Sequence, residues 1–167
     1  VEKVNPYNKV QRKNEQVKQM FNQIAPSYDR LNGTLSLGID DYWRRDALKE
    51  LRKYKPAHLL DIATGTGDFA ILAHKILHPA TITAVDISEG MMEVGRTKVD
   101  RKGLADIIQF EYQDCAAMTF ADNSFDAVTI SFGVRNFEDI DTSFREVLRV
   151  LKPGGVFLFL ELTTPHR

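Results

Sequence analysis

Cysteine is almost missing: Cys115 is the only one in 167 residues, which excludes an internal disulfide framework and a cysteine-ligated metal cluster. A surplus of charge is missing as well. Twenty-two basic residues face 23 acidic ones, for a net charge of −1, so no whole-molecule field draws the chain to nucleic acid or an anionic bilayer. Small molecules are the expected partners, and nucleic acid is not among them. Long apolar runs are absent too: no stretch approaches the roughly 18 residues of a membrane span, and the leading VEKVNPYNKVQRKNEQVKQ contains no apolar signal core. A soluble, cytoplasmic protein is expected, with peripheral contact to the inner membrane face as a secondary expectation. Histidine is sparse and scattered. His58 begins an apolar run, His74 and His78 fall in or beside a helical stretch and His166 is terminal, so no metal site and no histidine catalysis are expected. What is present is 43% hydrophobic and 10% aromatic side chain, enough for one well-filled core and not obviously for two.

The apolar residues are ordered in two rhythms. Val17, Met20, Phe21 and Ile24 recur at i, i+3, i+4 and i+7, a helical face closed by Pro26. An irregular stretch follows, in which Tyr28, Leu31, Leu35 and Leu37 either pack on the core or form an apolar entrance. Asp40 or Asp41 is expected to cap a second helix whose buried face is Trp43, Ala47, Leu48 and Leu51. From Ala57 the rhythm changes to short runs, HLLDIA, TITAVDI, IIQFEY, FDAVTISF and GVFLFLEL, separated by helical patterns. Strands apolar on both faces and alternating with helices predict an α/β, Rossmann-like, doubly wound and mostly parallel sheet. The intervening helices are expected over Asp68–His78, from a Ser88 cap to about Lys102, and from Asp139 or Asp141 with Phe144, Val147, Leu148 and Leu151 inward; Pro153-Gly154-Gly155 ends the last. Residues 1–56 read as an N-terminal helical, substrate-side segment packed on a core of residues 57–167, one domain in all.

The sharpest local signal is Leu60-Asp61-Ile62-Ala63-Thr64-Gly65-Thr66-Gly67-Asp68, a strand entering a glycine turn and then a helix. Gly65 and Gly67 let the backbone approach a ligand and aim amides at it from a helix N-terminus. Alone the pattern is ambiguous, because Gly65, Gly67 and Ala70 also satisfy the dinucleotide fingerprint with Asp86 as its ribose-binding acid. Asp86, ending the second strand, can accept both hydroxyls of a ribose diol of any nucleoside. Asp61 and Asp68 favour a ligand with a cationic group over one with a pyrophosphate, which their charge would repel. Asp114 and the amide of Cys115 are placed to recognise an adenine amino group. The Cys115 sulfur reads as a small buried thiol.

In order, LDIATGTGD, VDIS, YQDC and REVLRVLKPGG resemble the motifs of class I S-adenosylmethionine-dependent methyltransferases over about Leu59–Leu162. SFGVRN together with FNQIAPSYDRLNGTLSLGIDDYWR is more specific. With these segments the chain resembles the ubiquinone and menaquinone biosynthesis C-methyltransferases from about Phe21 to Pro165. The resemblance implies the strand order 3-2-1-4-5, with Ser131-Phe132-Gly133-Val134-Arg135-Asn136 facing the glycine turn at the topological switch point. It implies that Thr66, Asp86, Asp114, Cys115 and Ser131 contact the methyl donor, beside the Asp61, Gly65 and Gly67 of the residue-level reading. Tyr28, Asp29, Asn32, Arg135 and Asn136 would lie on the quinol side, with Arg135, Asn136 and Tyr28 as the catalytic candidates.

The implied reaction is C-methylation of demethylmenaquinol to menaquinol, or of the benzoquinol of the ubiquinone pathway, with S-adenosylmethionine as donor, S-adenosylhomocysteine as product and no metal. Family members continue with a helix and two further strands, whereas this sequence stops at Thr163-Thr164-Pro165-His166-Arg167. A truncated sheet, loss of turnover and pairing of two copies through the GVFLFLEL edge are the corresponding expectations. Another class I methyltransferase with a different lipophilic acceptor, an inactive donor-binding chain and a nicotinamide-dependent oxidoreductase stand as alternatives.

Overall fold

Runs rich in β-branched and aromatic residues, broken by polar turns, suit the pleated surface of a sheet and pair into one. In a computed structural model, which describes residues 13–28 and 39–161, five of them do so. The elements in chain order are α1 (Lys13–Ile24), α2 (Ile39–Leu51), β1 (His58–Ile62), α3 (Asp68–Leu77), β2 (Thr81–Asp86), α4 (Glu89–Arg101), β3 (Ile108–Tyr112), β4 (Phe125–Ser131), α5 (Ile140–Val150) and β5 (Leu151–Leu160). The sheet order is β3-β2-β1-β4-β5, and every pairing is parallel.

Alternation along the strands divides the core in two. Leu59, Ile82, Ala84 and Ala127 face a layer built by Leu48 and Leu51 of α2, Phe69, Leu72 and Ala73 of α3, and Val99 of α4. Leu60, Ile62, Val85, Val128 and Ile130 face the opposite layer, filled by Val147 and Val150 of α5 with Met118 and Cys115. Right-handed crossovers place α3 and α4 on one face as the chain steps outward from β1, and α5 on the other as it steps out from β4. The direction reverses between β1 and β4, which opens a crevice beyond their C-terminal ends.

Capping follows the expectation at two helices. Ser88 accepts the Met91 amide at the start of α4, and Asp139 accepts the Thr142 amide at the start of α5. Four expectations are corrected. Helix α2 already begins at Ile39, so Asp40 and Asp41 lie in its first turn, where their charge suits the helix dipole, and neither caps it. Trp43 is 49% exposed, because the inward stripe of α2 runs Arg44, Leu48, Leu51. Leu148 is 69% exposed, because the buried face of α5 runs Ser143, Val147, Val150. Pro153-Gly154-Gly155 does not precede the last strand but interrupts it. The register jumps from Phe125–Leu151 to Ala127–Val156, and Gly154 supplies the positive φ that this bulge needs.

Helix α1 docks through Asn22, whose Oδ1 accepts from the Ser88 hydroxyl at 2.6 Å and from the Gly90 amide at 2.9 Å. Further toward its N-terminus, the Lys13 ammonium donates to the Phe137 carbonyl at 3.1 Å. The helix therefore spans from the β2–α4 junction to the segment beyond β4, across the crevice.

Candidate functional site

The crevice at the switch point is a cleft of about 1050 Å³. Its floor is the end of β1 (Ile62, Ala63, Gly65), the end of β2 (Asp86, Ile87) and the turn after β4 (Ser131, Phe132, Gly133, Asn136). Gln113, Asp114, Cys115 and Ala116 form one wall, and Val17, Phe21 and Tyr28 form the roof. Phe21 and Tyr28 meet edge to face at 6.2 Å between ring centroids, which fixes the roof aromatics against one another. Acidic side chains dominate the mouth, where Asp114, Glu138, Asp139 and Asp141 line the opening beside Lys13.

Two loops must come very close for this cleft to form. A Cβ on Gly133 would stand 2.5 Å from the Ala63 Cβ, so only glycine lets the turn after β4 lie against the turn after β1. Gly65 and Gly67 both have positive φ. Their amides, however, are not aimed freely at a ligand as the sequence suggests: Gly65 N–H donates to Asp86 Oδ2 at 2.8 Å, and Gly67 N–H to the Thr64 carbonyl at 2.9 Å. The Gly67 Cα faces the Phe110 ring, which a Cβ would meet at 2.7 Å, so this glycine serves close packing of loop on strand.

Asp86 is held by two amides, Gly65 on Oδ2 and Ser88 on Oδ1, the latter at 2.9 Å. Each oxygen keeps a lone pair for a ligand. Burial pushes its carboxyl above the usual range despite those amides. Asp61 is 1% exposed and takes the hydroxyls of Thr64 and Thr129, both at 2.7 Å. Burial raises its pKa to about 6, against the pull of the two threonines and of Arg44.

Asp61 does not line the main cleft. It borders an adjoining recess of about 50 Å³ with Arg44, Thr64, Thr66, Asp68 and Phe69, and Tyr28, Ala63, Gly65 and Ser131 are shared between the two spaces. Lys98 of α4 reaches into this corner, donating to Thr66 Oγ1 at 3.0 Å and pairing with Asp68 at 2.6 Å. Asp68 thus already has a cation, and the charge it offers a ligand is correspondingly reduced.

Such a donor set suits a nucleoside with a cationic tail and repels a dinucleotide's pyrophosphate. Comparison with known proteins agrees. The profile of the ubiE/COQ5 methyltransferase family matches residues 9–167. The chain belongs to that family. It is 56% identical over 166 residues to a demethylmenaquinone methyltransferase of Bacteroides fragilis, an alignment covering 99% of this chain and 68% of that protein. It is 46% identical over 155 residues to a ubiquinone/menaquinone biosynthesis C-methyltransferase of Geobacter sulfurreducens, covering 92% of this chain and 60% of that one. Among solved structures, a SAM-dependent methyltransferase from Aquifex aeolicus shares the fold, with a TM-score of 0.64 at 21% identity over 73% of this chain and 66% of that one. The fold is therefore that of the class I methyltransferases, and the enzyme is an S-adenosylmethionine-dependent methyltransferase.

Within this methyltransferase the cleft gathers Tyr28, Gly65, Asp86, Asp114, Cys115, Ser131 and Asn136 of the residues picked out by sequence, and the recess gathers Asp61 and Thr66. Gly67 lies behind them in the turn. The Arg135 backbone belongs to the short turn Val134–Asn136, while its side chain lies outside the described residues, as do Asp29, Asn32, Leu31, Leu35 and Leu37. Cys115 is buried with its thiol pushed up to about 12 by that burial, in keeping with an inert sulfur. No group of metal-ligating side chains occurs among the described residues, and none of their helices is long and apolar enough to cross a membrane.

Sequence reasoning missed three participants. Asn22 anchors the roof helix, Lys98 neutralises Asp68, and Arg44 stands in the recess with Asp61. Arg44 did leave a signal. It occupies the i−4 position relative to the buried Leu48, where a core stripe would otherwise hold an apolar residue.

Proposed function

We propose that this methyltransferase C-methylates a quinol ring, with demethylmenaquinol as the acceptor and menaquinol as the product. The reading is carried by one juxtaposition: Ser131, Phe132, Gly133 and Asn136 of the turn after β4 share the floor of a single cleft with Asp86, under the roof residue Tyr28. The names of the relatives above supply the quinol. S-adenosylmethionine contributes an electrophilic methyl group on a sulfonium and leaves as S-adenosylhomocysteine.

On this reading the residues of the chain act by placement. Asp86 accepts the ribose hydroxyls, Asp114 and the Cys115 amide hold the adenine, and Thr66 and Ser131 border the tail. Asp61 compensates the ammonium. The acceptor carbon must lie in line with the methyl group, and orientation of that kind supplies most of the acceleration such a transfer needs. Loss of the hydroxyl proton builds negative charge on the quinol oxygen; that electron density passes through the ring to form the carbon–carbon bond as the carbon–sulfur bond breaks, and the ring proton then leaves to restore aromaticity. Arg135, Asn136 and Tyr28 are assigned to that oxygen, either directly or through an ordered water, and no step calls for a metal. Asp29 and Asn32 are assigned to the acceptor side by family likeness alone. A prenylated quinol would be collected at a membrane surface by a transient contact.

The test is anaerobic incubation with S-adenosylmethionine and a short-chain demethylmenaquinol, with product identified by mass. Ring-methylated naphthoquinol is expected, and an Arg135→Ala variant should lose turnover at least about 100-fold while still binding S-adenosylhomocysteine. Methylation of an unrelated phenol and not of either quinol would sink the acceptor assignment.

A further inference from the structure

The recess beside Asp61 holds a cation that the proposed reaction has not used. Arg44 comes from α2, outside the sheet, and turns inward where the stripe of that helix is otherwise apolar. Its Nε donates to Ser131 Oγ at 3.2 Å, and its guanidinium carbon sits 5.2 Å from the centre of the Phe132 ring. These two contacts fix the plane of the group. The remaining guanidinium nitrogens have no hydrogen-bond partner among the described residues, and no carboxylate there pairs with them. Arg44 and Asp61 border the same recess and influence one another electrostatically, yet they do not touch. An oriented guanidinium with open donors facing a buried carboxylate is complementary to a zwitterion, and in particular to an α-amino acid.

We propose that Arg44 binds the α-carboxylate of the methyl donor, opposite Asp61, so that the recess reads the amino-acid end of S-adenosylmethionine by both of its charges. The assignment rests on the donor site described under the proposed function. Arg44 is then a specificity residue: it favours ligands with the complete amino-acid tail over adenosine thioethers that lack the carboxylate. Since Nε is tied to Ser131, recognition of the tail is joined mechanically to the turn that carries Asn136, on the acceptor side of the cleft.

The experiment is calorimetric titration of the whole chain with two ligands: S-adenosylhomocysteine, and 5′-deoxy-5′-(3-aminopropylthio)adenosine, which keeps the nucleoside, thioether and ammonium but lacks the carboxylate. Wild type is expected to bind the first about 10- to 100-fold more tightly, the range of a charge-assisted bidentate contact. Arg44→Met should erase that preference by weakening S-adenosylhomocysteine alone, and Arg44→Lys should restore part of it. Equal affinity of wild type for the two ligands would overturn the assignment without reference to any variant. So would an equal loss of both in Arg44→Met, which would make Arg44 a support for the Ser131 turn. Binding of S-adenosylhomocysteine without preference would refute only the carboxylate contact, whereas no binding by the folded chain would refute the donor site as well.

Discussion

Replacing Asp61 by asparagine should make the chain relatively more stable at neutral pH while weakening donor binding. The carboxyl is buried among Thr64, Thr129 and the sheet, and its pKa rises from 3.8 to about 6 on folding. The folded chain therefore holds this proton more tightly than the unfolded chain, so stability is highest below about pH 4 and falls as pH climbs through the folded value. In full the loss is about 3 kcal/mol, of which about 2 kcal/mol falls between pH 4.5 and 8. Asparagine has the shape of the protonated acid and never ionises, and both threonine hydroxyls can rotate to serve it as donor or acceptor. Urea unfolding of wild type and Asp61→Asn, followed by circular dichroism at pH 4.5 and pH 8, isolates this contribution because the other titrating groups cancel in the difference. The stability difference should move by about 2 kcal/mol in favour of the variant as pH rises. A difference that stays flat, or that moves toward wild type, would refute the claim that Asp61 is ionised at the expense of the fold. Calorimetry on the same samples should show S-adenosylhomocysteine binding about 10- to 100-fold weaker in the variant at pH 8, from loss of one charge-assisted contact.

Gly133→Ala should destabilise the chain by about 1–3 kcal/mol, the usual range for overpacking, and should also weaken S-adenosylhomocysteine, because the added Cβ forces the glycine turn away at Ala63. Unchanged unfolding and unchanged binding would show that the two turns can separate freely. Cys115 should resist a disulfide reagent such as DTNB in the folded chain at pH 8, since a thiol pushed up to about 12 is ionised on the order of one part in ten thousand there. Modification as fast as that of a free thiol would mean that the wall beneath Asp114 opens.

Most of the fold could be read from patterning, since strands buried on both faces leave continuous apolar runs and the helices between them were marked by caps such as Ser88 and Asp139. Rotational setting was less legible. Trp43 and Leu148 match apolar templates for α2 and α5 but stand outward, because a helix with apolar residues spread around its circumference does not say which arc meets the sheet. For the site, glycine and aspartate were recognisable by type, and Asp86 lies in the cleft as expected. The partners of those residues were not recognisable. That Gly65 gives its amide to Asp86, that Lys98 neutralises Asp68, and that Arg44 enters the recess all depend on side chains at least 17 residues away meeting across loops, and a linear pattern holds no record of such meetings.

Those partners explain how a fold can keep three carboxylates at one end of its sheet. Asp61 has two hydroxyls, Asp86 two amides and Asp68 a lysine, so each is restrained by protein groups before any ligand arrives. Against these three negative charges stand the two cations Arg44 and Lys98, which leaves one negative charge in excess within this group. A sulfonium donor carries one net positive charge, and its thioether product carries none. The site is therefore matched in charge to the substrate side of the reaction, and burial of Asp61 keeps that match poorly screened by solvent at a cost in stability. Asp61→Asn removes the excess charge, so the variant should weaken the donor more than the product. If it weakened both by the same factor, Asp61 would act through the shared ammonium alone and take no part in reading the sulfonium.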